Sequence, residues 1–183
     1  MSWTLADEPG RLPDVAGDVR LEPVSERNLE SLLSVAAAEA DPADVMPPVE
    51  APAGWSQARR EAFREFHRAS FAGLPGPTRT RMYAVLAAGE VVGVIRMTRC
   101  AEPEAVETGL WLGRSARGRG IGAAALRELL NKAAAAGMRR VVAATTPDNR
   151  GALSVLTNCG ARLREANGQV HAELSLDVTP KDY

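Results

Sequence analysis

Hydrophobic and polar residues alternate along this chain in two different periods. An apolar residue at every second position indicates a strand, whereas apolar residues three and four positions apart indicate one face of a helix. The segment 19–24 has the first pattern, and Leu29, Leu32, Leu33 and Ala36 have the second. The pattern predicts helices over 25–40, 56–72, 121–136 and 149–158, and strands over 19–24, 82–87, 91–97, 106–112, 139–145, 161–165 and 170–176.

Turn-forming residues separate these elements and indicate how they connect. Ala88-Gly89-Glu90 and Asn167-Gly168 each predict a hairpin, and the proline-rich segment 41–54 predicts a loop. The segment 106–145 has the order strand, helix, strand, and such a crossover makes its two strands parallel. We therefore expect an α/β fold with a mixed sheet of six to seven strands, antiparallel on its N-terminal side and parallel at its central pair, flanked by about four helices.

The length of 183 residues indicates one domain, since it can bury one substantial core and is short for two. Residues 1–18 hold two prolines, two glycines and few apolar positions, which predicts an irregular N-terminal arm. The domain is expected over 19–178, with a C-terminal tail over 179–183.

Composition and charge narrow the classes of partner. The chain is 45% hydrophobic and 25% charged with a net charge of −1, so we expect neither nucleic acid nor a membrane as a partner. The start of the chain lacks a cationic segment followed by an apolar run, and no apolar stretch is long enough to span a bilayer, which favours a cytoplasmic protein. A homodimer is left open beside a monomer.

Cysteines and histidines give no signal for a metal. Cys100 and Cys159 lack the paired spacing of a zinc site, and two cysteines cannot form a disulfide framework. His67 and His171 have no partner at metal-ligand spacing, so we expect them on the surface or hydrogen-bonded in the core. The sequence predicts no metal site.

The strongest chemical signal is the turn over 113–123, between a predicted strand and a predicted helix. Its glycines let backbone N–H groups approach a ligand, and the start of the following helix favours phosphate oxygens. Arg114, Arg117 and Arg119 add positive charge. Gly118-x-Gly120-x-x-Ala123 also fits the dinucleotide fingerprint. That fingerprint normally opens a fold, whereas this turn comes late, so a dinucleotide-binding oxidoreductase is the weaker alternative.

Three segments together resemble a known family. The segment 117–122, Arg-Gly-Arg-Gly-Ile-Gly, resembles the R-x-x-G-x-G/A acetyl-CoA signature of the GNAT superfamily of N-acetyltransferases. The segment 107–112 is similar to the strand that precedes this signature in the RimJ/RimL-like branch, the ribosomal-protein N-terminal acetyltransferases. The segment 148–160 is similar to the family's N-x-x-S-x-x-V-L-x-x-x-G-F helix. The resemblance covers about 106–163 well and the first hundred residues by order of elements alone.

The resemblance implies a GNAT-like fold with acetyl-CoA as co-substrate. The strands ending at Leu112 and Thr145 would splay apart, and the pantetheine arm would enter between them. The turn would wrap the pyrophosphate, and Asn149 would bond the arm from the other side, although Asn149 is also well placed to cap a helix. The coenzyme-binding residues are therefore expected to be Leu112, Arg117, Gly118, Arg119, Gly120, Ile121, Gly122, Ala123 and Asn149.

The resemblance also implies acetyl transfer to a primary amine, either a protein N-terminus or a small amine such as an antibiotic or polyamine. An alkylammonium has a pKa of about 10.4 and must lose a proton before the amine can attack, and Glu107 is the candidate base. Many members use a tyrosine to protonate the departing thiolate, and that position is occupied here by Leu156. The position of the serine that other members use instead is occupied by Ala152. Ser154 and Cys159 are the candidate substitutes, with Ser154 taken as the catalytic residue, and a water as the acid or a thiolate that leaves unaided is left open. A non-catalytic acetyl-CoA-binding module is the alternative function.

Overall fold

The computed structural model describes residues 18–176. The strands are β1 Val19–Pro23, β2 Thr80–Ala87, β3 Glu90–Arg99, β4 Ala105–Leu112, β5 Arg140–Thr145, β6 Arg162–Ala166 and β7 Gln169–Ser175. The helices are α1 Glu26–Glu39, α2 Pro42–Val45, α3 Gln57–Arg68, α4 Ile121–Ala135 and α5 Arg150–Asn158. The predicted arm over 1–18 and the predicted tail over 179–183 lie outside the described residues, apart from residue 18.

The short helix α2 corrects the predicted loop over 41–54. Asp41 precedes it, and its side chain accepts a hydrogen bond from the Ala43 N–H at 3.0 Å. Pro42 is the first helical residue, a position where proline's missing N–H costs nothing. A proline-rich segment therefore contains one helical turn. The other helices and the seven strands confirm the predicted elements, with α3 ending at Arg68 instead of residue 72.

The sheet confirms the predicted mixed topology. Its strand order is β1-β2-β3-β4-β5-β7-β6. The central pair β4 and β5 is parallel, and the other five pairs are antiparallel. Pairing between β4 and β5 covers 105–107 against 140–142, whereas β4 continues to Leu112 and β5 to Thr145. The two strands thus separate toward their C-terminal ends and leave a gap in the middle of the sheet.

Hydrophobic side chains pack on both faces of the sheet. Successive side chains of β2 point to opposite faces, and nearly all of them are buried. Tyr83 and Val85 point to the face covered by α4 and α5, and Met82 and Ala84 point to the face covered by α1, α2 and α3. The molecule therefore has three layers with the gap in the central one, and residues from both helical layers can reach it. No helix within 18–176 is long and apolar enough to cross a membrane.

Candidate active site

A cavity of about 820 Å³, here named the gap cavity, occupies the opening between β4 and β5. Its walls come from both strands, the turn after β4, the first half of α4 and the length of α5. Of the residues predicted to bind coenzyme or act in catalysis, the gap cavity is lined by Leu112, Arg117, Gly118, Gly120, Gly122, Ala123, Asn149 and Ser154. The structure thus brings eight separate predictions together around one opening.

The turn residues Gly118 and Gly120 have φ angles of +70° and +75°. Both angles lie in the left-handed region that residues with a Cβ rarely adopt, which explains the two glycines. Gly120 is also the N-cap of α4, and no side chain caps the helix there. Because the first N–H groups of a helix have no intrahelical acceptor, this end of α4 can receive an anion.

Gly122 and Ile121 have packing roles that the motif did not reveal. A Cβ on Gly122 would lie 2.9 Å from Val155 Cγ2 and 3.3 Å from Leu110 Cδ2, so the glycine lets α4 lie close to α5 and β4. The Ile121 side chain is 1% exposed and belongs to the core. Its side chain does not line the cavity, and its contribution to a ligand would come through its backbone.

Arg117 supports the end of β4. Its Nε donates to the Leu112 carbonyl at 3.0 Å. Backbone groups alternate sides along a strand, and the Gly113 N–H bonds to Val92 on β3, so the backbone of Leu112 and Leu110 faces the gap. Arg119 is exposed and does not line the cavity. The two arginines are therefore unequal, since one is built into the rim and the other extends from it.

The α5 candidates occupy different positions. Asn149 is the N-cap of α5, and its Oδ1 accepts from the Ala152 N–H at 3.1 Å, so it has the capping role that the sequence left open. The Asn149 amide group remains able to donate toward the cavity through Nδ2. Ser154 is exposed at the rim, where Asn158 Nδ2 donates to its Oγ at 3.5 Å. Cys159 packs between α5 and α4, with burial raising the pKa of its thiol, and does not line the cavity.

Glu107 lies where β4 and β5 stop pairing, and its side chain is 53% exposed. Its Oε1 accepts from Arg96 Nη2 at 3.2 Å, and Arg96 Nη1 also donates to Thr98 Oγ1 at 3.1 Å. Glu107 does not line the gap cavity itself. The carboxylate is held in a solvent-accessible ion pair beside the site, so any proton transfer to it from the gap would need a water between.

A second cavity of about 340 Å³, here named the side cavity, lies on the other face of β4, against α2 and α3. Asp44, Gly109, Leu110 and Trp111 line both cavities, so the two meet around β4. The rest of the side cavity is mostly apolar, with His67 and Arg96 as its other ionisable residues. Within 18–176, no group of three or more His, Cys, Asp or Glu side chains could hold a metal ion.

The structure changes the interpretation of Asp44 and His67. The acidic residues Glu39, Asp41, Asp44 and Glu50 are compatible in sequence with a cationic acceptor, but their pattern favours solvated loop charge. The turn of α2 nevertheless places Asp44 at the meeting point of the cavities. His67 is buried, and one of its ring nitrogens has no hydrogen-bond partner, so it is neither a surface residue nor a fully bonded core residue. The period of α3 could have predicted its inward position, since His67 follows Phe63 by four residues.

Comparisons with known proteins agree with this architecture. The family model of the acetyltransferase (GNAT) domain matches residues 18–162. No curated protein matches the chain. Among solved structures, RimL, a ribosomal alpha-N-protein acetyltransferase in complex with coenzyme A, matches with a TM-score of 0.67 and 21% identity, over 88% of this chain and 96% of that one.

Two further solved structures extend the likeness. RimJ of Mycobacterium smegmatis, in complex with a CoA-disulfide, has a TM-score of 0.70 and 20% identity, covering 89% of this chain and 84% of that one. The microcin self-immunity acetyltransferase MccE, in complex with acetyl-CoA and AMP, has a TM-score of 0.65 and 16% identity, covering 86% and 92%. At these identities the neighbours confirm the fold, and the family match decides membership: the chain belongs to the GNAT acetyltransferase-domain family.

Proposed function

We propose that this protein is an N-acetyltransferase that moves the acetyl group of acetyl-CoA directly onto a primary amine. The observation that carries the proposal is the meeting of two cavities at Gly109–Trp111. One cavity has an uncapped helix N-terminus for phosphate, and the other is a separate chamber that opens onto the same stretch of β4. Such an arrangement lets two substrates approach one point from opposite faces of a sheet.

The gap cavity fits acetyl-CoA in shape and chemistry. The pyrophosphate of the coenzyme would accept hydrogen bonds from the N–H groups of the turn over 117–123 and from the guanidinium groups of Arg117 and Arg119. The pantetheine arm would lie along β4 and pair with the backbone of Leu110 and Leu112, as an added strand would. The Asn149 amide would hold the arm from α5. We place the acetyl group beside Gly109, which lines both cavities.

Acetyl transfer then follows from placing the amine in the side cavity. The amine nitrogen attacks the acetyl carbon, a C–N bond forms, the C–S bond breaks, and coenzyme A leaves as a thiolate. An alkylammonium with a pKa near about 10.4 must first lose a proton, which Glu107 would take through a water. Ser154, on the rim of the gap cavity, would donate a hydrogen bond to the departing thiolate, and the second proton, which the nitrogen loses after the attack, would pass to the thiolate to give free coenzyme A thiol. The Asp44 carboxylate, which lines both cavities, would attract the ammonium before it is deprotonated.

The acceptor classes remain those suggested by the sequence, a protein N-terminus or a small amine such as an antibiotic or polyamine. RimL is described as a ribosomal alpha-N-protein acetyltransferase and MccE as a self-immunity acetyltransferase, so relatives of this fold serve both classes. We propose acetyl-CoA and one such amine as the two substrates.

Release of free coenzyme A thiol tests the proposal. Purified protein is mixed with acetyl-CoA and a panel of peptides and small amines, and thiol release is measured together with the mass of the acetylated product. We expect release that depends on both an amine and the folded protein. Coenzyme binding without release for any amine would overturn catalysis and support the alternative, a non-catalytic acetyl-CoA-binding module. That alternative is favoured by one observation, the solvent-exposed ion pair that holds Glu107 outside the gap cavity.

The dinucleotide-dependent oxidoreductase loses its structural support. A dinucleotide-binding fold is a doubly wound and mostly parallel sheet. In the described part of this chain, one strand pair of six is parallel, and it separates where a dinucleotide-binding sheet would stay closed. Binding of coenzyme A but not of NAD, measured as a thermal shift, would complete the exclusion.

A further inference from the structure

His67 is an unusual group in the wall of the side cavity. The residue is 1% exposed, and its ring lies 4.1 Å from the Phe63 ring and 5.2 Å from the Phe66 ring, measured between centroids. Its Nδ1 lies 2.8 Å from the Phe63 carbonyl oxygen. A carbonyl can only accept, so Nδ1 carries the proton and donates, and Nε2 is left with a lone pair.

Nε2 of His67 has no hydrogen-bond partner, and it is the one buried side-chain polar atom of which this is true within residues 18–176. Buried polar groups in native proteins are nearly always hydrogen-bonded, so such an exception calls for a ligand or another specific cause. Burial lowers the pKa of His67 to about 4, so the ring is neutral at pH 7. Nε2 therefore presents a hydrogen-bond acceptor and not a positive charge.

The surroundings of His67 define what could reach it. Phe66, Met82 and Val94 give the side cavity an apolar wall, and a volume of about 340 Å³ suits a compact group. The guanidinium of Arg96 is already bonded to Glu107 and Thr98, so it makes no strong demand on a ligand. The cavity is thus an apolar chamber with His67 in its wall and a carboxylate, Asp44, where it meets the gap cavity. Nε2 itself is closed to water in the free protein, so a donor reaches it only when the acceptor displaces the side chains around it.

We propose that His67 determines acceptor specificity: the acceptor is a primary amine whose compact apolar body carries an O–H or N–H donor, and this donor bonds to Nε2 of His67. The proposal rests on the proposed function for the position of the acetyl group. The amino end lies at the junction near Asp44, the apolar body fills the chamber, and the donor lies against α3. Selectivity follows because an amine with the donor makes a hydrogen bond to an acceptor that has none in the free protein, whereas an analogue without the donor gains no bond there.

Tyramine and phenethylamine test this inference, because they differ by one hydroxyl group on the same apolar body. Two quantities are measured: kcat/KM for acetylation, and the dissociation constant by calorimetry in the presence of coenzyme A, where no turnover occurs. We expect the wild-type protein to prefer tyramine by about tenfold or more in both. His67→Phe should lose this preference, while His67→Gln, whose Oε1 can accept at a similar reach, should retain part of it.

His171→Phe is the matched control, since His171 is exposed on β7 and should leave the preference unchanged. A wild-type protein with equal affinity for the two amines, or with measurable affinity for neither, overturns the inference. A preference that survives His67→Phe overturns it as well. If His67→Phe does not fold, the wild-type ratio and His67→Gln still decide. Calorimetry separates this failure from failure of the proposed function, because selective binding without thiol release would contradict acetyl transfer alone.

Discussion

The two cavities that meet at β4 are built in different ways. The gap cavity is formed largely by backbone, through glycines with positive φ, an uncapped helix start and strand edges that lack partners. The side cavity is formed by side chains from five separate regions of the sequence, with Asp44 from α2, His67 from α3, Met82 from β2, Val94 from β3 and Trp111 from β4. Backbone sites depend on local motifs and serve one shared ligand, whereas side-chain sites can change residue by residue with the acceptor.

The largest effect on coenzyme A binding is expected for Gly120→Val, which changes the backbone of the gap cavity. A β-branched residue cannot adopt a φ of +75° without strain, and its side chain would enter the space that a pyrophosphate needs. We expect coenzyme A binding to fall below detection by calorimetry.

Gly137→Val is the matched control for that change. Gly137 lies just after the other end of α4 and has a φ of +80°, and a Cβ at this position would meet no heavy atom within 4 Å. The variant should be strained to a similar degree but bind coenzyme A normally. Equal binding losses in the two variants would show that strain, and not a blocked site, is responsible.

A smaller effect is expected for Glu107→Gln, which keeps the shape of the side chain and removes its ability to accept a proton. If Glu107 is the base, turnover should fall by about 10²–10⁴-fold with little change in acetyl-CoA affinity. The defect should shrink as pH rises toward the pKa of the amine, because the free amine needs no base. Steady-state rates across pH measure both effects.

Glu104→Gln controls for loss of an exposed ion pair on the same part of the sheet. Glu104 pairs with Arg139 at 3.2 Å, and its side chain is 56% exposed, close to the 53% of Glu107. It should leave turnover unchanged. Wild-type turnover in Glu107→Gln at neutral pH would exclude Glu107 as the base and leave proton removal to water.

How far the sequence predicted the molecule follows the same division. The succession of strands and helices along the chain, the parallel central pair and the turn over 113–123 were predicted because periodicity and glycine placement are local signals. The role of His67 was not, because its unpaired nitrogen exists only where α3 packs over the sheet. The acidic residues at and just after the end of α1 show the limit of sequence prediction. One run of similar charges separates into a clasp on Ser115 by Glu39, a helix cap by Asp41, and a cavity wall at Asp44.

Arginine substitutions at the turn should have moderate and unequal effects. Hydrogen bonds to charged groups are worth about 1.5–3 kcal/mol, so Arg117→Ala should weaken coenzyme A binding by roughly ten- to a hundredfold. Arg117 also bonds the Leu112 carbonyl, so its loss should loosen the end of β4 as well. Arg119→Ala, at an exposed site off the cavity wall, should weaken binding less. Calorimetry at two salt concentrations measures both, and equal losses would contradict the inequality seen in the structure.

The smallest effect is expected for Glu39, which connects the end of α1 to the turn after β4. Its Oε2 accepts from the Ser115 N–H at 2.7 Å and its Oε1 from the Ser115 hydroxyl at 2.9 Å, so the end of α1 is clasped to the turn after β4. These bonds, the backbone N–H first, hold the pKa of Glu39 below its usual range. A carboxyl group whose pKa is lower in the folded than in the unfolded state stabilises the fold at pH values above the unfolded pKa, which is about 4.3 for glutamate. This stabilisation is lost as pH falls through the folded-state pKa.

Glu39→Gln should therefore lower the melting temperature slightly at pH 7, and the difference from wild type should shrink as the medium is acidified below the unfolded pKa. Because Ser115 lies in the turn over 113–123, coenzyme A affinity should also fall by a small factor. Glu26→Gln is the control. Glu26 lies at the other end of α1 and pairs with Arg68 of α3, which lowers the pKa of its carboxyl too. Glu26 does not contact the turn. A melting-temperature difference that persists in acid would contradict the charge-dependent clasp. A loss of coenzyme affinity in both variants would show that α1 acts on the gap cavity through its overall stability and not through Ser115.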